Sequence, residues 1–479
     1  MILKKENLIL ADKLVVYNNF AEIDDLAGRL FVELQIYPIP RILWDFEILG
    51  EKVPQFHDVF ASESLLENVF LGYLIEVELL KLEEIAFGVD ISSTAKGTAL
   101  RAYLDLDDRD AQSHRFNFYL TNTRFQSIFH SERGVVAGIP LNSKWAVDLE
   151  LGKQACKWLD VRNDNVGVYL TGLGTLFQLK ETEGTEELPE SLTTITINEA
   201  EEILKNLCLL LSYANGGFIA PIFIEGEKYI KYESDENNLE SQTFIATETT
   251  STLISTAYQF TSLEKLGKSW LTEDSDLEVF ISCFGNFEKM LSKPFWEKTF
   301  YFVLVQYFQA ISSNNWELAA SATGAALERL SYAILVEDES DAIKKEKYSL
   351  LFSTNHRKSN KAYEELVIEK GDIRSPAGRR IKLLLERIGL TTSRGYGDIK
   401  DVQKFTNVRN DSVHPKVTNI SLEDRSRSIM QAIQWIDDVL LWRLGYEGHY
   451  IDRVTGSFPT LDNPNLNLRY DLSLRDSSW

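Results

Sequence analysis

The sequence predicts an α+β protein, with a β-rich, sandwich-like N-terminal domain followed by a C-terminal all-helical bundle. Three observations predict it. Short, partly alternating apolar runs separated by turn residues fill the first 185 or so positions. From about residue 275 the apolar spacing becomes that of amphipathic helices. The chain has 479 residues, 44% of them hydrophobic, which exceeds one typical core. The reading gives residues 1–185 to a β-rich sensor or regulatory domain and 186–274 to a mixed α/β connecting segment. Residues 275–450 form the helical domain, and 451–479 a C-terminal tail.

In the first domain, Leu30 to Tyr37 is a partly alternating run closed by Pro38 and Pro40. Ile42 to Leu49 is its hairpin partner. Ala86–Ile91 and Ala99–Leu104 are expected to flank a polar turn over Ser92–Gly97. Arg115–Leu120 alternates over most of its length, and Val166–Leu170 is expected to pair with Thr175–Leu179 across Thr171–Gly174. Many short strands with regular turns suggest a sandwich or an irregular barrel.

The acidic, Gly-containing stretch Glu181–Pro189 reads as a linker. Asn198 with Glu201 three positions on has the form of a capping box, so a helix is expected over 199–213, stopped by Gly216-Gly217. Phe218–Ile224 and Lys228–Tyr232 read as a short hairpin, and Asp235–Ser241 as a polar loop. Helices are then expected over Leu277–Leu291, from Pro294 to Ile311, over Trp316–Val336, from Ser375-Pro376 to Gly389, over Asp398–Ser412 and over Ser421–Leu444. The third carries small residues, Ala319, Ala320, Ala322, Gly324, Ala325 and Ala326, that let a partner helix approach closely.

Net charge is −22, which argues against a surface that binds polyanions everywhere. A nucleic-acid site would have to be a local basic patch. Cys156, Cys208 and Cys283 lie far apart with no Cys-x-x-Cys pair, as expected of buried thiols in a reducing compartment. The N-terminus has no apolar core long enough for a signal peptide, and Leu207–Ile224 is too interrupted to span a membrane. The expectation is a cytoplasmic protein.

The chemistry concentrates in Val408-Arg409-Asn410-Asp411-Ser412-Val413-His414-Pro415. Pro415 disfavours the α conformation at His414, so the helix should end there. On an ideal helix, residues five apart point about 140° away from one another, so the helix end frees His414 to move relative to Arg409. Arginine and histidine together suit metal-free RNA cleavage. A ribose 2′-hydroxyl attacks the adjacent phosphate, histidine moves the proton near neutrality, and the guanidinium holds the phosphate oxygens as charge builds. Asn410 can fix either neighbour by hydrogen bonds. One histidine does not easily serve as base and acid in one step, so a two-fold dimer is expected to supply the second. The bare spacing is weakly specific, since arginine fills roughly one position in twenty. Arg162-Asn163-Asp164 nearly repeats it, with Gly167 where the histidine would stand.

Arg409-Asn410-x-x-x-His414, preceded by the alanine-rich segment with Ala326-Leu327-Glu328-Arg329-Leu330 and followed by a long amphipathic helix and Leu444-Gly445-Tyr446, resembles the R-x4-6-H motif of HEPN domains. The resemblance covers about 295–450. A β-rich front with this helical end resembles the ApeA-like anti-phage HEPN ribonucleases. The resemblance implies a composite, metal-independent ribonuclease site built from the Arg409 and His414 of two protomers, with Asn410 as the polar residue that follows the arginine. Implied partners are RNA, single-stranded or in a loop with transfer RNA one candidate, and a second copy of the chain. A phage-derived trigger could act at the N-terminal domain. No cofactor, metal or membrane is expected.

Nearby basic residues, among them Arg379, Arg380, Lys404 and Lys416, form a candidate RNA surface; a solvated helix face is the alternative. The motif itself has an alternative reading as a helix terminus, with Arg409 in a salt bridge and His414 as a C-cap. For the whole protein the alternatives are a non-catalytic HEPN-type binding or regulatory protein that dimerises through its bundle and, from the sandwich-like front, a carbohydrate-binding module. His57, His114, His130, His356 and His449 are scattered without zinc spacing, and His356 reads as a loop residue beside Arg357 and Lys358. Asp105, Asp107, Asp108 and Asp110 lack the glycine and terminal glutamate of a calcium loop. Gly172-Leu173-Gly174 reads as a turn, and the aromatics from Phe295 to Phe308 as packing.

Overall fold

Backbone pairing of small and polar residues, rather than apolar alternation alone, sets the shape of the N-terminal sheet. The computed structural model describes residues 13–35, 39–49, 59–60, 69–72, 75–87, 92–104, 111–121, 123, 135–160, 165–178, 194–233, 243–262, 265–271, 277–367, 373–389, 399–413, 420–448, 450–451 and 453–454. The chain divides into two units, one of residues 1–212 and 218–264, the other of 213–217 and 265–479. The first is an antiparallel sheet with one long helix and the second is helical, so the protein is α+β. His57, His130, His414, His449, Lys416 and Asp105–Asp110 lie outside the described residues.

The strands are β1 (Lys13–Ile23), β2 (Leu26–Gln35), β3 (Arg41–Leu49), β4 (Phe70–Gly72), β5 (Ile75–Glu78), β6 (Lys81–Phe87) and β7 (Ser92–Ala99). They continue with β8 (Arg101–Leu104), β9 (Arg115–Thr121), β10 (Val135–Pro140), β11 (Trp145–Asp160), β12 (Asn165–Gln178), β13 (Pro221–Glu233) and β14 (Thr243–Ser255). Among the described residues they form one hydrogen-bonded sheet, ordered β10-β11-β12-β9-β13-β14-β8-β5-β4-β1-β2-β3-β7-β6, rather than two separate sheets. β1 and β2 turn through Asp24 and Asp25, both at positive φ (47° and 62°), the geometry of a tight hairpin. Along β2 the buried positions alternate, with Leu30, Val32 and Leu34 facing the core.

Three expectations are corrected here. The Ser92–Gly97 segment is strand β7, paired with β3 and β6 on its two sides. Its small residues accommodate large neighbours. Gly97 sits opposite Trp44, and a Cβ there would lie 2.6 Å from the indole Cζ2. Trp44, Phe46, Phe60 and Phe70 form the aromatic part of the core behind it. Thr171–Gly174 lies inside β12, held by β9 and β11. Phe223 to Tyr232 is one strand with a bulge at Gly226/Glu227, and its hairpin partner is β14. In each case a strand distant in sequence (β3, β9 and, for the third segment, β9 again) satisfies backbone groups that a local turn would otherwise satisfy.

Helix α1 (Ile197–Asn215) starts two residues before the expected position. Its capping box is Thr196 and Glu199: the Thr196 amide donates to Glu199 Oε2 at 2.8 Å and the Glu199 amide to Thr196 Oγ1 at 3.3 Å. Asn198 instead accepts from the Tyr103 hydroxyl at 3.1 Å, and the buried Glu201 pairs with Arg101 at 2.9 Å.

The helical unit contains α2 (Leu277–Ser282), α3 (Phe284–Leu291), α4 (Pro294–Ser312), α5 (Trp316–Tyr332), α6 (Ala342–Leu351), α7 (His356–Leu366), α8 (Pro376–Arg387), α9 (Ile399–Val413) and α10 (Leu422–Leu444). A π turn, Ala333–Glu337, extends α5. Pro294 occupies the first turn of α4, Ser421 caps α10, and Gly445 closes α10 in the left-handed conformation at φ 78°. Helices α6 and α7 were not expected. Their sequences are polar and bury few side chains, so few apolar residues announce them. His356 is therefore the first residue of a helix capped by Asn355, not a loop residue.

Helix α10 is the spine of this unit. Ile429, Ala432, Ile433, Ile436, Val439, Leu440 and Leu444 are buried along it, and the larger of these side chains contribute about 1.5–3 kcal/mol each. Its polar core residues are satisfied from several segments. Asp437 Oδ1 accepts from the hydroxyls of Tyr213 (2.9 Å) and Tyr307 (2.6 Å), and Oδ2 from Arg453 Nε (2.5 Å). Arg453 also donates to the Tyr307 hydroxyl at 2.5 Å and to the Lys268 carbonyl at 2.9 Å. Asp438 accepts from the Tyr450 hydroxyl at 2.7 Å. Burial, followed by the Asp437 charge, pushes the Tyr213 hydroxyl well above the usual tyrosine range. Burial does the same at Tyr307, reinforced by Asp437 and opposed by Arg453.

Replacing Asp437 by Ala leaves the Arg453 guanidinium buried and unpaired, and should cost about 3–5 kcal/mol in a urea titration. The two tyrosines set an alkaline limit. Their raised folded-state pKa means the unfolded chain loses protons first. Their contribution is therefore full below about pH 10 and declines as pH rises above it. A Tyr213→Phe variant should lose stability more gently than wild type between pH 10 and 11.5, followed by circular dichroism.

Candidate functional site on the C-terminal helices

Val402, Phe405, Thr406 and Val408 are the buried face of α9. Phe405 sets its rotation by packing edge-on to Trp435 of α10, with ring centres 6.2 Å apart. With that face turned inward, Arg409 falls one turn after Phe405 and lies across α5. The aliphatic stem crosses Gly324, where an added Cβ would stand 3.1 Å from Arg409 Cγ and 3.2 Å from Nε. A larger residue at 324 would meet the arginine.

One turn beyond Gly324, Glu328 faces the guanidinium. Its Oε1 lies 3.5 Å from Arg409 Nη2, and both side chains are about a third exposed (31% and 29%). Arg409 Nη1 also donates to the Asn410 side-chain oxygen at 3.4 Å. Arg409 Nε is buried and has no hydrogen-bond partner among the described residues. The arginine is thus held at its stem, and the contacts at its head are long.

The other expected RNA contacts are spread over different tasks. Arg379 donates to the Ile373 carbonyl at 2.8 Å, touches Asn360 and stacks over Tyr363 at 5.1 Å. Arg380 donates to the Leu351 carbonyl at 3.2 Å and covers Phe352 at 4.6 Å. Burial lowers the Arg380 pKa, and the nearby Glu328 carboxylate opposes that shift. Lys404 is exposed and paired with Asp401 one turn back at 3.4 Å. Lys382, part of the same basic run in sequence, is buried against Glu386 at 3.3 Å. Arg380, Glu328 and Arg409 are therefore one electrostatic group, while Arg379 ties α8 to the segment before it. Among the described residues no cluster of three or more His, Cys, Asp or Glu is arranged to hold a metal ion. None of the described helices is long and apolar enough to cross a membrane.

Sequence reasoning passed over Glu328 and Gly324 as site residues. Their four-residue spacing, a small residue followed by an acid on one helical stripe, was visible. That the stripe meets Arg409 depends on how α9 packs.

Residues 293–461 match the family described as the YopA C-terminal domain. A curated relative, the "SPbeta prophage-derived uncharacterized protein YopA" of Bacillus subtilis (strain 168), is 28% identical over 181 residues, or 35% of this chain. The match spans about a third of that relative's length, 36%. No solved structure matches the chain.

A double-mutant cycle on Arg409→Ala and Glu328→Ala, read by denaturant unfolding, should give a coupling no larger than about 1 kcal/mol, as for other partly exposed pairs.

Proposed function

We propose that the protein is a metal-independent endoribonuclease of the HEPN type acting in anti-phage defence by abortive infection. The observation that carries the reading is the Arg409 guanidinium. It stands five positions before His414, a third exposed, with a stem packed over Gly324 and a head whose contacts among the described residues, to Glu328 and Asn410, are long. A phosphate-stabilising arginine needs that combination of a fixed base and an available fork. The helical architecture of the C-terminal unit, with α9 packed against both α5 and α10, supports the reading, as does the motif resemblance.

In this reading the 2′-hydroxyl of a single-stranded or looped RNA, such as a transfer RNA loop, attacks the adjacent phosphate. His414 takes or returns the proton, Arg409 neutralises the charge gathered on the phosphate oxygens, and Asn410 orients its neighbours. A homodimer brings two such motifs together and supplies acid and base from different copies. The N-terminal unit receives a phage-derived trigger in the cytoplasm. The similar Bacillus subtilis protein is prophage-derived by name, which is compatible with a place in conflict between phage and host.

A second reading, a non-catalytic HEPN-type binding protein that dimerises through its bundle, is favoured by the internal work of Arg379 and Arg380 and by the exposed Tyr301 and Phe302 on α4. The two readings separate in one assay. Wild type incubated with RNA in EDTA should leave 2′,3′-cyclic phosphate ends. His414→Ala should reduce the rate by at least about a hundredfold, the usual scale for removing a general acid or base. Equal cleavage by both proteins would overturn the mechanism.

A further inference from the structure

We infer that Glu328 is a built-in stand-in for substrate phosphate: its carboxylate occupies the Arg409 guanidinium in the resting protein, and an incoming RNA phosphodiester displaces it. The inference rests on the reading of Arg409 as a phosphate ligand and names what must leave before that ligand binds.

The geometry is that of a contact made to be exchanged. Charge-assisted N–H···O bonds run at about 2.7–2.9 Å, and arginine pairs carboxylates best through two parallel bonds. Here one Glu328 oxygen lies 3.5 Å from one Arg409 nitrogen. The remaining side-chain contact, to Asn410, is 3.4 Å long, and Nε has no hydrogen-bond partner among the described residues. A guanidinium offers five donors in a planar fork, and among the described residues this one meets two long contacts. Both partners are about a third exposed, so water and ions compete for the pair and it is weak.

The stem behaves differently from the head. It is clasped over Gly324, so the arginine keeps its place when its counter-ion leaves. The displaced carboxylate also remains near a second positive charge. Arg380 is anchored by the Leu351 carbonyl and by Phe352, and it attracts Glu328. The exchange therefore leaves Glu328 within the field of the Arg380 charge and gives phosphate the fork.

A residue that only stiffens the helices would weaken RNA binding when changed, or leave it alone. A displaceable stand-in has the opposite signature: removing its charge tightens binding, and only through Arg409. The test is fluorescence anisotropy of the full-length protein with a labelled 2′-O-methyl oligoribonucleotide, which cannot be cleaved because the attacking hydroxyl is blocked. At one fixed ionic strength, Glu328→Gln should lower Kd by about fivefold, the scale of a partly exposed charge pair. In an Arg409→Ala background the same change should have no effect. Unchanged or weaker binding by Glu328→Gln overturns the inference. So does an equal gain without Arg409, which would mark a general charge effect, or the absence of binding by every variant. Cleavage of unmodified RNA, measured in parallel, reports on the ribonuclease reading separately. Coupled binding without cleavage removes that reading and keeps the stand-in; cleavage without coupling does the reverse.

Discussion

The helical unit depends on one buried carboxylate. Asp437 sits in the middle of its longest helix and gathers donors from three other segments: Tyr213, Tyr307 on α4, and Arg453 beyond the end of α10. A charge in that position is tolerable only because its neighbours complete it. Once they do, the arrangement fixes where each segment lies. Apolar packing holds the helices together, but it is permissive about register. A carboxylate that must accept three hydrogen bonds is not.

Arg409 shows the opposite balance. Around Asp437 the contacts are short and dry. At Arg409 the stem is packed and the head is left with long, partly solvated contacts. The rigidity of α5, α9 and α10 supplies the first half of that arrangement. The close approach at Gly324 lets a long side chain lie flat instead of pointing into water. The packed stem and the loosely held head come from different parts of the same helix packing.

Much of the architecture was legible in the residues. The switch from short alternating runs to the helical period located the change from sheet to bundle, and Pro294, Ser375, Ser421 and Gly445 marked helix ends correctly because caps are local chemistry. The failures were equally physical. Ser92–Gly97 and Thr171–Gly174 have the composition of turns but lie within paired strands, since distant partners satisfy their backbone groups. Helices α6 and α7 escaped notice because they bury little. The cap of α1 lies two residues before Asn198/Glu201: Thr196/Glu199 has the same spacing, and only Tyr103 and Arg101 decide which pair is otherwise engaged.

At the site, the sequence by itself determined that an arginine, an asparagine and a histidine stand together near the end of a helix, because that is a matter of order along the chain. It determined too that the third long helix could be approached closely. Only the tertiary structure decided that Arg409 crosses Gly324 and meets Glu328, that Arg380 lies within the field of the same carboxylate, and that Arg379 and Lys382 are tied up in packing. The reason is the short range of these interactions. A guanidinium and a carboxylate more than eighty positions apart in sequence act on each other only when packing brings them within a few ångströms, and no local pattern records that distance.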